Sequence, residues 1–135
     1  EKAAKTFTLM SHWHLNLRNN SRITDAGLEK AAKAMPNLKH WDLNLWSNAC
    51  ITDAGLENSA KAFRHLAHWG INLNANIRIT DAGLERTCNM FKNLKHWILY
   101  LRTNSKITDS GLEKCAQAFP HLTHWDLDLQ GAKIT

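Results

Sequence analysis

Histidine is the residue type in this sequence whose number and spacing could do chemistry. The 135 residues include eight histidines, and five of them recur every 28 residues, at His12, His40, His68, His96 and His124. Such a row could bind a metal ion or act as a pH-sensitive strip, because stacked imidazoles repel when charged and their pKa values then fall below about 6.5. Zinc is not predicted, because no trio of histidine and cysteine is spaced to close a tetrahedron. We interpret the row as locally packed and hydrogen-bonded, with the pH-sensitive strip as the alternative.

The remaining reactive side chains form no recognisable catalytic arrangement. Cys50, Cys88 and Cys115 are odd in number and fit neither a metal-binding nor a disulfide pattern. The sequence has no nucleophile elbow, no phosphate-binding glycine loop and no His-Glu-x-x-His motif. The sequence therefore predicts a protein that is not an enzyme and that needs no metal or other cofactor.

Charge and hydropathy restrict the partners. The net charge is +5, but basic residues alternate with acidic ones along the predicted helices, which is typical of a solvated face and does not favour nucleic acid. No segment reaches the run of about 18 apolar residues that a membrane-spanning helix needs. Nothing in the sequence indicates a cellular compartment.

The histidines belong to a unit that is repeated along the whole chain. Each of the five is followed by tryptophan, and the unit beginning at Leu38 reads Leu-x-x-Trp-x-Leu-x-Leu-x-x-Asn-x-x-Ile-Thr-Asp-x-Gly-Leu-Glu. Alternating apolar residues at Trp41, Leu43 and Leu45 predict a short strand with one buried face. Asp53 is predicted to be the N-cap of a helix of about three turns. The apolar stripes of this helix and the next two are predicted to comprise Leu56, Ala60, Phe63, Leu84, Cys88, Phe91, Leu112, Ala116 and Phe119.

This unit resembles the leucine-rich repeat. Its period is similar to that of the ribonuclease-inhibitor class, and its Ile-Thr-Asp-x-Gly-Leu segment resembles the cysteine-containing repeats of F-box substrate adaptors, although tryptophan replaces the usual leucine. Because one unit cannot bury its apolar face alone, about five units of 28 residues are predicted to stack. The expected fold is a right-handed α/β solenoid, a horseshoe with a parallel sheet on the concave face and helices on the convex face. Residues 1–135 are interpreted as one such solenoid and as an uncapped segment of a longer repeat array.

Stacking is expected to place equivalent residues of successive units in ladders. The tryptophans are predicted to point inward, within the range of about 4.5–7 Å that favours aromatic pairing; they are Trp13, Trp41, Trp69, Trp97 and Trp125. A ladder of asparagines is predicted to satisfy backbone groups of the turn after each strand; it comprises Asn20, Asn48, Asn76 and Asn104. Both ladders are interpreted as structural.

The strand residues that do not point inward form the candidate binding surface. One column of this surface is histidine throughout, whereas the other two vary between units, as recognition positions can. The predicted partner-binding residues are His40, Asp42, Asn44, Trp46, His68, Asn72, His96, Ile98, Tyr100, His124, Asp126 and Asp128. The aromatic and acidic members are typical anchors of a protein interface. The predicted function is a scaffold that recognises a protein partner through the concave face; the alternative is a structural protein whose units stack end to end into a filament.

Overall fold

The computed structural model of the chain describes residues 9–132. Strands and helices alternate along these residues, with every strand followed by a helix until the last. The strands are β1 (His12–Asn16), β2 (His40–Asn44), β3 (His68–Asn72), β4 (His96–Tyr100) and β5 (His124–Asp128). The helices are α1 (Asp25–Lys33), α2 (Asp53–Ala60), α3 (Asp81–Cys88) and α4 (Asp109–Gln117).

The strands form one open parallel sheet in sequence order, β1 to β5. The strands pair so that equivalent residues of successive units lie side by side: Trp13 pairs with Trp41, and Trp41 pairs with Trp69. Each helix packs on the helices of neighbouring units, and each strand lies beside the neighbouring strands. The predicted α/β solenoid of leucine-rich-repeat type is thereby confirmed, because residues 28 apart along the chain are neighbours in space.

A ladder of indole rings runs through the core between the sheet and the helices. Trp41, Trp69 and Trp97 are completely buried. The centroids of successive tryptophan rings lie 5.2–6.3 Å apart, with the ring planes within 20° of parallel. A phenylalanine from the segment after each of α2, α3 and α4 meets these rings edge-on, as Phe91 meets Trp69 at 5.0 Å. The tryptophan that replaces leucine in each unit therefore fills the interior and does not face a ligand.

The asparagine ladder closes the turn after each strand. Asn48 Nδ2 donates to the carbonyl oxygens of Leu17 at 2.8 Å and Asn20 at 3.3 Å, both in the preceding unit. Its Oδ1 accepts from the backbone N–H groups of Cys50 and Ile51 in its own unit. One buried amide thus holds two units together, and the same bonds recur at Asn76 and Asn104.

The predicted N-cap role of Asp53 is wrong. Thr52, in extended conformation, is the N-cap of α2, and Asp53 is the first helical residue. The Asp53 carboxylate points to the next unit, where Oδ1 accepts from the backbone N–H of Thr80 at 2.9 Å and Oδ2 accepts from the Thr80 hydroxyl. It lies against Gly83, where a Cβ atom would overlap it. The Thr-Asp-x-Gly motif is therefore a link between units.

Two further details of the helices differ from expectation. The helices contain 8 or 9 residues, little more than two turns and not three. In α4, Ala116 is exposed, and Cys115 is the buried residue. The equivalents of Cys115 are Ser59 and Thr87, whose buried hydroxyls donate to the carbonyl oxygen four residues earlier, so this polar column belongs to the helix–helix contact.

Candidate functional site

The face of the sheet that points away from the helices presents three columns of side chains, which we call the open face. The first column is His12, His40, His68, His96 and His124; the second is His14, Asp42, Gly70, Ile98 and Asp126; the third is Asn16, Asn44, Asn72, Tyr100 and Asp128. The rest of each strand faces the core, so the open face is where side chains of all five strands meet a partner or solvent.

A groove of about 390 Å³ runs across this face. It is lined by His14, Leu15, Asn16, Asp42, Leu43, Asn44, Gly70, Ile71, Asn72, Ile98 and Tyr100. Five predicted partner-binding residues line it: Asp42, Asn44, Asn72, Ile98 and Tyr100. The other predicted residues lie beside the groove: the first-column histidines and Trp46, and, on β5, Asp126 and Asp128.

Asp42 is the centre of a polar cluster at one side of the groove. Its Oδ2 accepts from His14 Nδ1 at 2.9 Å and from His40 Nε2 at 2.8 Å. Its Oδ1 lies 3.4 Å from His68 Nε2. Gly70, opposite Asp42 in the register, makes room for the carboxylate, because a Cβ atom there would overlap Oδ1. His14 and Gly70 were absent from the predicted contact set, although both line the groove.

The first-column histidines stack along the sheet. Their ring centroids are 4.8 Å apart between His12 and His40, 3.8 Å between His40 and His68, and 4.7 Å between His96 and His124. Burial lowers the pKa of His68, and the charge of His40 lowers it further, while Asp42 opposes the shift. The pKa of His68 is thus lowered, which is the direction expected for stacked imidazoles.

The third column carries amides whose oxygen atoms are occupied. Asn16, Asn44 and Asn72 each accept, through Oδ1, a backbone N–H two residues later, at 2.9–3.1 Å. Their Nδ2 groups have no partner among residues 9–132. Because the strands are about 4.8 Å apart, these groups form a short row of hydrogen-bond donors along the groove.

Asp128 and Trp46 are engaged by arginines. Asp128 accepts from Arg102 Nε at 2.8 Å and from the backbone N–H of Gln130 at 3.1 Å. The Gln130 bond first, and then the Arg102 bond, lower the pKa of Asp128. The Arg18 guanidinium lies 3.8 Å above the Trp46 ring, which is a cation–π contact at the turn. Trp46 is thus half-buried under a neighbouring turn and outside the groove.

Comparison with known proteins agrees with the fold. A family model described as Leucine Rich repeat matches residues 14–30, which run from the middle of β1 through the following turn into α1. Since the same unit recurs through the described residues, the match supports the similarity of the chain to leucine-rich repeat proteins. Proteins of this kind are typically non-enzymatic scaffolds that mediate protein–protein interactions. No curated protein matches the chain.

The finer assignments stay predictions. The ribonuclease-inhibitor-like and F-box-adaptor-like subclasses were inferred from the period and the Ile-Thr-Asp-x-Gly-Leu segment alone.

Within residues 9–132, no helix has the length and apolarity to cross a membrane.

Proposed function

We propose that the chain binds a protein partner through the open face, with an extended segment of the partner lying in the groove. The observation that carries this proposal is the composition of the groove. It combines a row of amide donors with an exposed aromatic ring and the apolar side chain of Ile98. These are the features by which a main chain and one anchoring side chain are recognised together.

The amide row would recognise the partner's backbone. Asn16, Asn44 and Asn72 hold their Oδ1 atoms against their own turns, which fixes the orientation of each amide and leaves Nδ2 as a donor. An extended segment has carbonyl oxygens that no helix or sheet satisfies, and these accept from such donors. This contact requires an unpaired backbone and does not depend on the partner's sequence.

Tyr100 and Ile98 would supply the apolar anchor. Tyr100 is 40% exposed, and both residues line the groove together with Gly70, which lacks a side chain. Exposed tyrosine at the centre of a contact surface is the usual form of a binding hot spot. An apolar side chain of the partner would pack against Tyr100 and Ile98.

Charge would select among apolar segments. Asp126 and Asp128 pair with Ile98 and Tyr100 in the sheet register, so two carboxylates border the apolar end of the groove. Asp128 is bonded to Arg102, whereas Asp126 has no ionic partner among residues 9–132. The favoured segment therefore carries lysine or arginine next to its apolar anchor.

Selection of peptides from a random displayed library, in the presence of EDTA, tests this function. Selected peptides are expected to combine an apolar residue with a basic neighbour and to lose about 30-fold in affinity for Tyr100→Ala, as loss of a hot spot of about 2 kcal/mol implies. Lys30→Ala, on the exposed side of α1, is the control and should bind as the original chain does. Peptides that bind Tyr100→Ala with unchanged affinity would contradict the proposal. End-to-end stacking stays a prediction, and light scattering at increasing protein concentration tests it.

A further inference from the structure

The cluster around Asp42 brings together three side chains that ligate metals. His14 Nδ1 and His40 Nε2 both lie within 2.9 Å of Asp42 Oδ2. One ligand atom of each residue lies within 4.8 Å of those of the other two. Two imidazole nitrogens and one carboxylate oxygen are a common ligand set for zinc and related ions.

We propose that His14, His40 and Asp42 bind a divalent transition-metal ion, with zinc as the expected ion. Zinc binds imidazole nitrogen at about 2.0–2.1 Å and carboxylate oxygen at about 2.0–2.2 Å, so the ligand atoms of a tetrahedral site lie about 3.3 Å apart. The two imidazoles therefore need to move a few tenths of an ångström away from Oδ2, and their ligating nitrogens, which lie within 4.8 Å of each other, need to come to the same spacing. Magnesium and calcium, which prefer oxygen ligands, do not suit this set.

The surroundings of Asp42 orient its carboxylate for this role. His68 Nε2 lies 3.4 Å from Oδ1, on the oxygen that the proposed ion does not use. Gly70 leaves the space into which the carboxylate leans. Partners that hold a ligand in place in this manner strongly affect metal affinity. His68 and Gly70 are therefore positioning residues of the site.

The site is accessible and would leave a coordination position open. The His14 side chain is 70% exposed and that of Asp42 is 30% exposed, so an ion can enter from solvent. Three protein ligands leave the fourth position of a tetrahedral ion for water or for a ligand atom of a partner. Because His14 and Asp42 also line the groove, a bound ion would lie at its edge.

A corresponding pair of residues near the opposite edge of the sheet, on β5, provides the control. Asp126 and His124 on β5 are the register equivalents of Asp42 and His40, but Ile98 stands where His14 would be. The third ligand is missing there. Zinc is therefore expected to bind to the cluster on β1 and β2 and not to its equivalent on β4 and β5.

Calorimetric titration of zinc into the EDTA-treated chain tests the proposal with the metal alone and does not depend on any protein partner. One zinc ion per chain is expected to bind. His14→Ala and Asp42→Asn should weaken binding at least 100-fold, and Gly70→Ala, which displaces the carboxylate, by about 10–100-fold. His124→Ala and Asp126→Asn should leave the affinity unchanged.

Nuclear magnetic resonance of the histidine rings gives a second readout. Zinc should shift the Nδ1 resonance of His14 and the Nε2 resonance of His40, and it should leave those of His124 unshifted. The exposed His14 side chain can be truncated without touching the core, so His14→Ala decides the question even if Asp42→Asn does not fold. The absence of saturable binding, equal loss in His124→Ala, or full affinity in His14→Ala would overturn the proposal.

Discussion

Replacement of Gly83 by alanine tests the link that the Thr-Asp-x-Gly motif makes between units. A Cβ atom on Gly83 would overlap the Asp53 carboxylate, which would have to leave its bonds to the Thr80 backbone N–H and hydroxyl. Hydrogen bonds to a charged group contribute about 1.5–3 kcal/mol each when shielded from water. Because Thr80 is exposed, water replaces part of this hydrogen bonding. The loss of both bonds is therefore expected to lower the free energy of unfolding by about 2–3 kcal/mol.

The helix itself opposes this loss. Alanine is favoured over glycine within a helix by up to about 1 kcal/mol, so the net destabilisation by Gly83→Ala should be about 1–2 kcal/mol. Gly27 occupies the equivalent position in α1, but among residues 9–132 a Cβ atom there would meet only Ile23 and Thr24, at ordinary distances of 3.8–3.9 Å. Gly27→Ala should therefore stabilise the chain by about 0.5–1 kcal/mol, the opposite sign for the same substitution.

Urea denaturation followed by circular dichroism measures both variants, and a double-mutant cycle isolates the contact. In an Asp53→Gly background the three atoms that a Cβ on Gly83 would overlap, including the Asp53 Cβ, are absent, so Gly83→Ala should become neutral or stabilising. If Gly83→Ala stabilises the original chain as Gly27→Ala does, the carboxylate does not depend on that space and the reasoning is refuted. Equal destabilisation with and without Asp53 would place the cause in the helix backbone.

Three further predictions concern the core, the turn and the open face. Trp69→Ala should destabilise the chain by about 3–5 kcal/mol, because the ring is completely buried; a loss below about 1 kcal/mol in urea denaturation would mean that the ring is not in the core. Asn76→Ala should cost more stability than Asn20→Ala in the same assay, since of these two amides Asn76 alone donates to a preceding unit among the described residues; equal losses would argue against the inter-unit bonds. Arg102→Ala should raise the pKa of Asp128 only part of the way towards its ordinary value, because the backbone hydrogen bond is the larger cause. A carboxyl group with a lowered pKa stabilises the fold while it is ionised, and this stabilisation is lost when acid protonates the group. The variant should therefore also lose less stability between pH 6 and pH 3. An unchanged carboxyl titration by nuclear magnetic resonance would contradict this.

The fold could be predicted because its determinants recur. The 28-residue spacing of His-Trp defines the register, and the register gives the sheet order without knowledge of any single contact. The role of Asp53 could not be read in the same way. A carboxylate directly after threonine suits a local N-cap, and the sequence alone does not reveal that the Thr80 backbone lies closer to it than the groups of its own helix.

The cluster of His14, His40 and Asp42 could not be predicted for a related reason. His14 and His40 are 26 residues apart, which resembles no metal-binding motif, because such motifs bring ligands together within one helix or turn. In a sheet of stacked units, side chains of adjacent strands come together instead. The signal that was available is Gly70, a residue without a side chain in a strand, which marks the place where the Asp42 carboxylate needs room.

If the register alone places these ligands, the cluster can be copied to another unit. Ile98→His adds, next to His124 and Asp126, the imidazole that His14 provides beside His40 and Asp42. Calorimetry should then show a second zinc ion per chain. The second ion should bind more weakly than the first, because the positioning contacts that His68 and Gly70 make with Asp42 have no counterpart at Asp126 among residues 9–132. A variant that still binds a single ion would show that the register does not suffice and that the first site depends on features particular to β1 and β2.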